Sequence, residues 1–92
     1  MRINTLAGMK EVIDDAGISM VLRYYLIQDD REDESAYGVG IIKYAQDGTE
    51  EREWIPGISH SREQTERLLE QMMEGVVTPA GAVAVVDDWE SV

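Results

Sequence analysis

Two segments of alternating side chains predict the centre of a β-sheet. In Met20 to Ile27 the even-numbered and the odd-numbered residues are both mainly apolar, so both faces of an extended strand would be apolar. Tyr37 to Ala45 has a similar pattern, with two glycines among its even-numbered residues. Aromatic and β-branched residues favour a pleated surface. We therefore predict strands at about 18–28 and 36–46, the first of them central because both of its faces are apolar.

A return strand is predicted after Asp47-Gly48, a dipeptide typical of a type I′ hairpin turn, in which both central residues have positive φ. The strand covers about 49–55, and Pro56-Gly57 is predicted to end it. Its run of charged residues, Glu50 to Glu53, indicates an exposed, charge-protected strand rather than a central one.

The first segment of the chain permits two interpretations. Leu6, Met9 and Ile13 have the spacing of one helix face, whereas Asp15-Ala16-Gly17, just before the strongest strand, is typical of a turn. We favour a short strand at about 9–14 that forms a hairpin with the next strand, and the helix remains the alternative.

Apolar residues at helical spacing predict two helices at the end of the chain. The first, at about 61–74, begins with a capping box of Ser61 and Gln64, and Gly75 is placed to end it in the left-handed conformation. Thr78-Pro79 begins the second, at about 79–90. The stripe of the first helix is Thr65, Leu68, Leu69, Met72 and Val76; that of the second is Ala82, Val83, Val86 and Trp89.

Strands followed by helices predict an α+β fold: an antiparallel β-meander of three to four strands followed by two helices packed on one face. A length of 92 residues is typical of one domain, 1–92. The opposite face of such a sheet has no helix to cover it. The candidate interaction face therefore consists of Arg23, Tyr25, Ile27, Ile42 and Tyr44.

Charge and composition exclude several classes of function. A net charge of −11 disfavours nucleic acid or an anionic membrane as the main partner. The absence of cysteine excludes disulfides, thiolate zinc sites and thiol nucleophiles. No apolar stretch approaches the ~20 residues that span a bilayer, and no secretory signal is present, so we predict a cytoplasmic protein.

His60, the only histidine, lies between two serines just before a predicted helix. A Ser-His pair suggests nucleophilic catalysis, but adjacent loop residues rarely face each other, and Ser61 is needed as a helix cap. One histidine with scattered carboxylates is also weak evidence for a metal site. We predict His60 to be an ordinary loop residue.

Two further motifs fail as ligand sites. The acidic segment Asp29 to Glu34 lacks the glycine and glutamate positions of a calcium loop, which indicates a solvated connection. Gly38-Val39-Gly40 lacks the third glycine and the helix start of a phosphate loop. Glycine in a strand instead allows a bulge or a neighbouring ring over the backbone, with Tyr24 and Tyr25 as candidates. We predict no catalytic residue, no metal site and no cofactor.

Four segments together resemble a family of short bacterial proteins described as a domain of unknown function. The resemblance covers Lys10 to Trp89 and implies a soluble, bacterial, stand-alone domain, without implying a reaction or a ligand. The chain departs from the family pattern at Ala80-Gly81-Ala82, which is smaller and more flexible. The four segments are Leu22–Ile27, Tyr37–Ile41, Ser59–Glu63 and Val76–Pro79.

These observations favour a small, non-enzymatic protein-interaction or regulatory module. Every aromatic residue is Tyr or Trp, the types enriched at protein interfaces. The partner is then a protein, with no nucleic acid and no membrane. Two alternatives stay open: a self-associating, homodimeric structural domain, and a small ligand-binding domain or enzyme centred on His60.

Overall fold

Four strands precede two helices in the structure, a computed structural model that describes residues 1–91; Val92, the last residue of the predicted domain, lies outside the described residues. The α+β fold predicted from the sequence is confirmed. The elements are β1 (Arg2–Ile13), β2 (Ser19–Asp30), β3 (Ser35–Ala45), β4 (Glu50–Ser59), α1 (Arg62–Glu74) and α2 (Pro79–Glu90).

The strands form one antiparallel sheet in the order β1-β2-β3-β4, so β2 and β3 are central and β4 is an edge, as predicted. Both helices pack on the same face of the sheet. The core lies between these two layers, where burial of apolar area supplies the main stabilisation. It consists of Leu22, Tyr24, Leu26, Val39 and Ile41 from the sheet, with Leu68, Leu69, Met72, Ala82 and Val86 from the helices.

The first segment is a strand, and it begins at Arg2 rather than at Met9. A bulge between Leu6 and Gly8 inserts one extra residue, Ala7, opposite β2. An inserted residue reverses which alternate side chains point to a given face. Leu6, Met9 and Ile13 therefore share one face of a strand although their spacing is that of a helix.

The turn between β3 and β4 differs from the predicted type I′ turn. Gly48 has φ 91°, but Asp47 does not have positive φ. The amide of Gly48 donates to the carbonyl of Ala45 at 3.0 Å, and the Asp47 carboxylate accepts from the amide of Thr49 at 3.0 Å. This is a type I turn closed by a left-handed glycine, the usual three-residue hairpin loop.

β4 continues through Pro56-Gly57 to Ser59, past its predicted end. A register shift accommodates the extra residues, because Val39 pairs with Ile55 whereas Tyr37 pairs with Ser59. Proline is tolerated on an edge strand, where its missing N–H costs no ladder bond, and Gly57 has φ 67°. The predicted breaker therefore bends the strand instead of ending it.

Ser61 caps α1 as predicted, but the second bond of the capping box is replaced, because the Ser61 amide donates to the Ser59 hydroxyl at 3.0 Å. The end of the helix is shifted by one residue. The Ser61 hydroxyl accepts from the amide of Gln64 at 3.2 Å. Gly75, however, has φ −80°, and the left-handed residue is Val76, with φ 51°. The Val77 amide donates to the carbonyl of Met72 and the Val76 amide to that of Met73, which together form a Schellman motif.

The apolar side of α2 also differs in one residue. Ala82 and Val86 are buried and Trp89 packs against the core, as predicted, but Val83 points away and is exposed. Val85 packs against the core in its place. The helix thus turns a slightly different face to the sheet than its spacing predicts.

Gly81→Ala is expected to stabilise the protein by about 0.5–1 kcal/mol, because alanine loses less backbone entropy in a helix than glycine does. A Cβ at this position would meet only the Cγ1 atom of Val77, at an ordinary 3.9 Å. Equilibrium urea unfolding of the two proteins measures the difference. An unchanged or lower free energy of unfolding would show that the first turn of α2 is not tightly formed.

Candidate interaction face

The five residues of the predicted face all lie on the side of the sheet opposite the helices, which we call the open face. They differ in accessibility. Arg23 is exposed, and Tyr25 and Tyr44 are partly buried. Ile27 and Ile42 are buried, with 1% and 7% of their surface exposed. Only part of the predicted set can therefore contact a partner directly.

The β4 side of the open face is covered by the strand's own residues. The ring of Trp54 lies over Gly40, and the backbone of Ile55 and Pro56 lies over Gly38. Ile27 pairs with Gly38 in register, so its burial follows from this cover. A ring does lie over a strand glycine, as predicted, but it belongs to Trp54 and not to Tyr24 or Tyr25.

Aromatic contacts order the middle of the open face. The rings of Tyr25 and Trp54 are 5.4 Å apart with a tilt of 55°. The guanidinium of Arg23 lies 5.0 Å from the centre of the Tyr44 ring, within the range of a cation–π contact. These contacts hold the side chains in place before any partner binds, which reduces the entropy that binding would cost.

The β1 side of the open face remains exposed and apolar. Leu6, Met9 and Ile13 are 50%, 55% and 63% exposed, and we call these three residues the β1 patch. They face Tyr25, Arg23 and Ser19 of β2 in the register of the sheet. Glu11 lies between Met9 and Ile13 on this face. Single exposed apolar residues are common, but three on one edge strand indicate a contact surface.

Charges on the open face balance, although the chain as a whole carries −11. Three arginines and three acidic residues lie there. Arg2 bonds to Asp29 at 3.1 Å, and Arg52 bonds to Glu50 at 2.6 Å. The open face is thus electrostatically neutral within an acidic protein. The six charged residues are Arg2, Arg23, Arg52, Glu11, Asp29 and Glu50.

The two edges of the sheet differ in how they are protected. β4 carries four consecutive charged residues, Glu50 to Glu53, followed by Pro56. Such features prevent another strand from pairing with an edge. β1 is longer, with 12 residues, lacks proline, and has only Arg2, Lys10 and Glu11 as charged residues. The edge next to the β1 patch is therefore the more accessible one for strand pairing.

His60 lies in the connection between β4 and α1 and is exposed to solvent. Its Nδ1 atom is 3.1 Å from the carbonyl oxygen of Ser35 and 3.7 Å from the Glu34 carboxylate, whose side chain is also exposed. The hydroxyls of the two adjacent serines accept hydrogen bonds from backbone amides. Ser59 accepts from the amide of Ser61, and Ser61 accepts from the amide of Gln64 and so caps α1. Within residues 1–91, the hydrogen bonds of these two serine hydroxyls are thus made to backbone amides and not to His60.

The acidic connection between β2 and β3 is a hydrogen-bonded hairpin. The Asp30 carboxylate accepts from the side chains of Gln28 and Ser35, at 2.9 and 2.7 Å. These two bonds hold the pKa of Asp30 below its usual range. Within residues 1–91, no three carboxylate or imidazole side chains converge to form a metal site.

An open groove runs between the two helices and the end of β4, with a volume of about 830 Å³. Leu68, Val85 and Trp89 are among its apolar residues, and Arg67 and Asp88 lie among its polar ones. Arg67 already pairs with Glu63 at 2.7 Å. His60 does not line this groove, and its charged residues lie on the solvent-exposed sides of the helices.

The comparison with protein-family models decides the assignment of the chain. A model described as a family of unknown function, DUF6514, matches residues 3–92. The chain belongs to this family. The match confirms the resemblance to a domain of unknown function, and the family covers β1 as well as the segment from Lys10 onward.

The searches of curated proteins and of solved structures returned no match. Neither helix, within the part of the chain that the structure describes, has the length and apolar character needed to cross a bilayer. Sequence reasoning missed the β1 patch. The apolar spacing of Leu6, Met9 and Ile13 was the available signal, but the bulge gave it the period of a helix.

Proposed function

We propose that the protein is a non-enzymatic protein-interaction module that binds a partner protein through the open face and the edge of β1. The observation that carries this proposal is the β1 patch, with its three apolar side chains 50–63% exposed beside an unpaired strand edge. An edge strand with neighbouring apolar positions accepts an extended segment by backbone pairing and side-chain burial.

The composition of the surrounding surface supports the same function. Arg23 and Tyr25 lie beside the patch on β2, and Tyr44 and Trp54 lie farther across the open face on β3 and β4. These residue types, with Met, are enriched at interface centres. The neutral charge of the open face removes the repulsion that the rest of the surface would exert on another acidic protein. The bacterial origin and cytoplasmic location expected from the sequence belong to this proposal.

Site-specific photocrosslinking tests the function. A photoreactive benzoylphenylalanine at Met9, in cells of the organism that encodes the protein, is expected to give one dominant protein adduct. The matched control carries the same residue at Ala84, an exposed position on α2. We expect no comparable adduct there, because α2 lies on the other face of the sheet.

A second substitution in the same chain shows whether the adduct reflects binding to this surface. Adding Leu6→Lys is expected to suppress the Met9 adduct, since a charge in the patch opposes burial, whereas adding Val83→Lys at an exposed position of α2 is not. The absence of an adduct at Met9, or equal adducts at Met9 and Ala84, would contradict the proposed function.

A further inference from the structure

We infer that the partner at the β1 edge is a second copy of this chain, bound by antiparallel pairing of two β1 strands. This inference rests on the proposed function and names its partner. It follows from three features of β1: the direction of its free backbone groups, the position of its bulge and the distribution of its charges.

The free backbone groups are identified by the bonds at both ends of the β1–β2 ladder. Met1 and Asp30 exchange both of their backbone bonds, at 3.0 and 3.2 Å, and Asp14 donates to the carbonyl of Ile18 at 2.9 Å. Antiparallel ladders alternate between bonded and non-bonded pairs. The residues that point away from β2 are therefore Arg2, Asn4 and Leu6 before the bulge, and Met9, Glu11 and Ile13 after it.

Because of the bulge, these six residues of β1 can pair with the same six residues of a second copy. When Leu6 lies opposite Met9 of the second copy, Asn4 lies opposite Glu11 and Arg2 opposite Ile13. All six residues with outward backbone groups then pair with one another, which no other two-fold register achieves. Ala7 and Gly8, at the bulge, lie beside the two-fold axis.

The same register matches side chains on both faces of the sheet. On the open face, Leu6 contacts Met9 of the second copy, and this contact occurs twice by symmetry. On the helical face, the partly exposed Ile3 lies opposite Val12 of the second copy. Apolar cross-strand pairs of this kind stabilise a sheet, each by roughly 0.2–1 kcal/mol.

The charge distribution favours approach at this edge. Arg2 and Lys10 are the only basic residues before Arg23. With Glu11 they give β1 a small positive charge, whereas the whole chain has a net charge of −11. In the antiparallel register, Arg2 of one copy approaches the turn of the second copy that contains Asp14 and Asp15. Opposite charges therefore meet at both ends of the interface.

The assembly closes at two copies. A two-fold axis uses both β1 edges, and a closed isologous interface leaves no complementary surface for further growth. The remaining edges are the two β4 strands, which carry Glu50 to Glu53 and Pro56. The product is an eight-stranded sheet with all four helices on one face.

Sedimentation equilibrium from about 1 to about 200 µM tests the oligomeric state, a range chosen because a single strand pair is a small interface. We expect a reversible monomer–dimer equilibrium. Asn4→Pro removes an N–H that points away from β2, so it is expected to weaken the dimer about tenfold or more while keeping the β1–β2 ladder. Circular dichroism and thermal unfolding at low concentration check that this variant is folded.

Disulfide trapping tests the register, since the wild-type chain has no cysteine. Thr5 lies opposite Lys10 of the second copy, so a mixture of Thr5→Cys and Lys10→Cys is expected to form a crosslinked heterodimer under mild oxidation. Each variant alone is expected to give little crosslink, because its two cysteines are far apart in this register.

Several outcomes would overturn the inference: a strict monomer up to the highest concentration, a dimer insensitive to Asn4→Pro, crosslinks equal in the single variants and the mixture, or assemblies larger than two copies. The proposed function would fail separately. A monomer whose Met9 adduct contains a different protein keeps the interaction function and rejects the homodimer.

Discussion

Gly38→Ala is expected to destabilise the protein by about 3 kcal/mol, at the upper end of the cost of overpacking. A Cβ at Gly38 would lie 2.6 Å from the Cα of Pro56, and it would also overlap the carbonyl group of Ile55. These are backbone atoms, which cannot rotate away as a side chain can. The bulge of β4 would have to move off the open face.

Urea unfolding measures this effect, and Gly81→Ala is its matched control. Both variants add one methyl group, but the second has space for it and is expected to be more stable than the wild type. A Gly38→Ala protein within about 0.5 kcal/mol of the wild type would mean that β4 does not approach β3 closely at this point.

Raising the pH from 10 to 12 is expected to remove about 2 kcal/mol of stability through Tyr24, the second large effect, out of about 2.7 kcal/mol for the full pKa shift at 1.36 kcal/mol per pKa unit. Burial in the core raises the pKa of Tyr24 from 10.0 to about 12. In this interval the unfolded chain has lost the phenolic proton while the folded protein retains it. The contribution of the protonated Tyr24 to the free energy of unfolding is therefore fully present below pH 10 and is lost as the pH rises through about 12.

Tyr24→Phe is the control for this pH dependence. The Tyr24 hydroxyl donates to the carbonyl of Val77 at 2.8 Å, so the variant is expected to be about 1 kcal/mol less stable at neutral pH. Between pH 10 and 12 it is expected to lose less stability than the wild type, because the other three tyrosines are present in both proteins. Identical pH profiles would show that Tyr24 titrates normally in the folded protein.

The hydrogen bond from Tyr24 to the carbonyl of Val77 also accounts for the strained backbone of the neighbouring residue, Val76. Val76 is a β-branched residue at φ 51°, a conformation that usually requires glycine. The Schellman motif around it places the Val77 carbonyl over the sheet, where the buried hydroxyl of Tyr24 reaches it. The connection between α1 and α2 is thus held to β2 at the cost of local strain.

Local patterns predicted most of the fold. The aromatic and β-branched residues along Met20 to Ile27 predicted β2, and the helical spacing of Leu68, Leu69 and Met72 after an N-cap predicted α1. The chain order, strands before helices, then indicated the α+β class and an open face. The positions of the five predicted face residues on that side follow from alternation alone.

The pairing register of the strands and the solvent exposure of side chains on the open face could not be predicted from local patterns. The burial of Ile27, which pairs with Gly38, depends on a β4 bulge whose flanking pairs join residues 16 and 22 positions apart along the chain. The bulge at Ala7 reverses the side-chain pattern of β1, and the adjacent Gly8 is a local signal for a bulge that does not by itself specify the register. The strand predicted at about 9–14 is present but longer at its start, and the type I′ turn was wrong, because strand limits and turn geometry depend on the partner strand.

The sequence by itself determined which segments after the first form strands and helices, the acidic charge and the lack of thiol chemistry, because these depend on residue type and short-range spacing. Only the tertiary structure decided which apolar residues stay exposed. β4 covers its own side of the open face with Trp54 and Pro56, whereas β1 has no outer neighbour to cover Leu6, Met9 and Ile13. Exposure depends on which strands lie side by side, and that arrangement exists only in the folded chain.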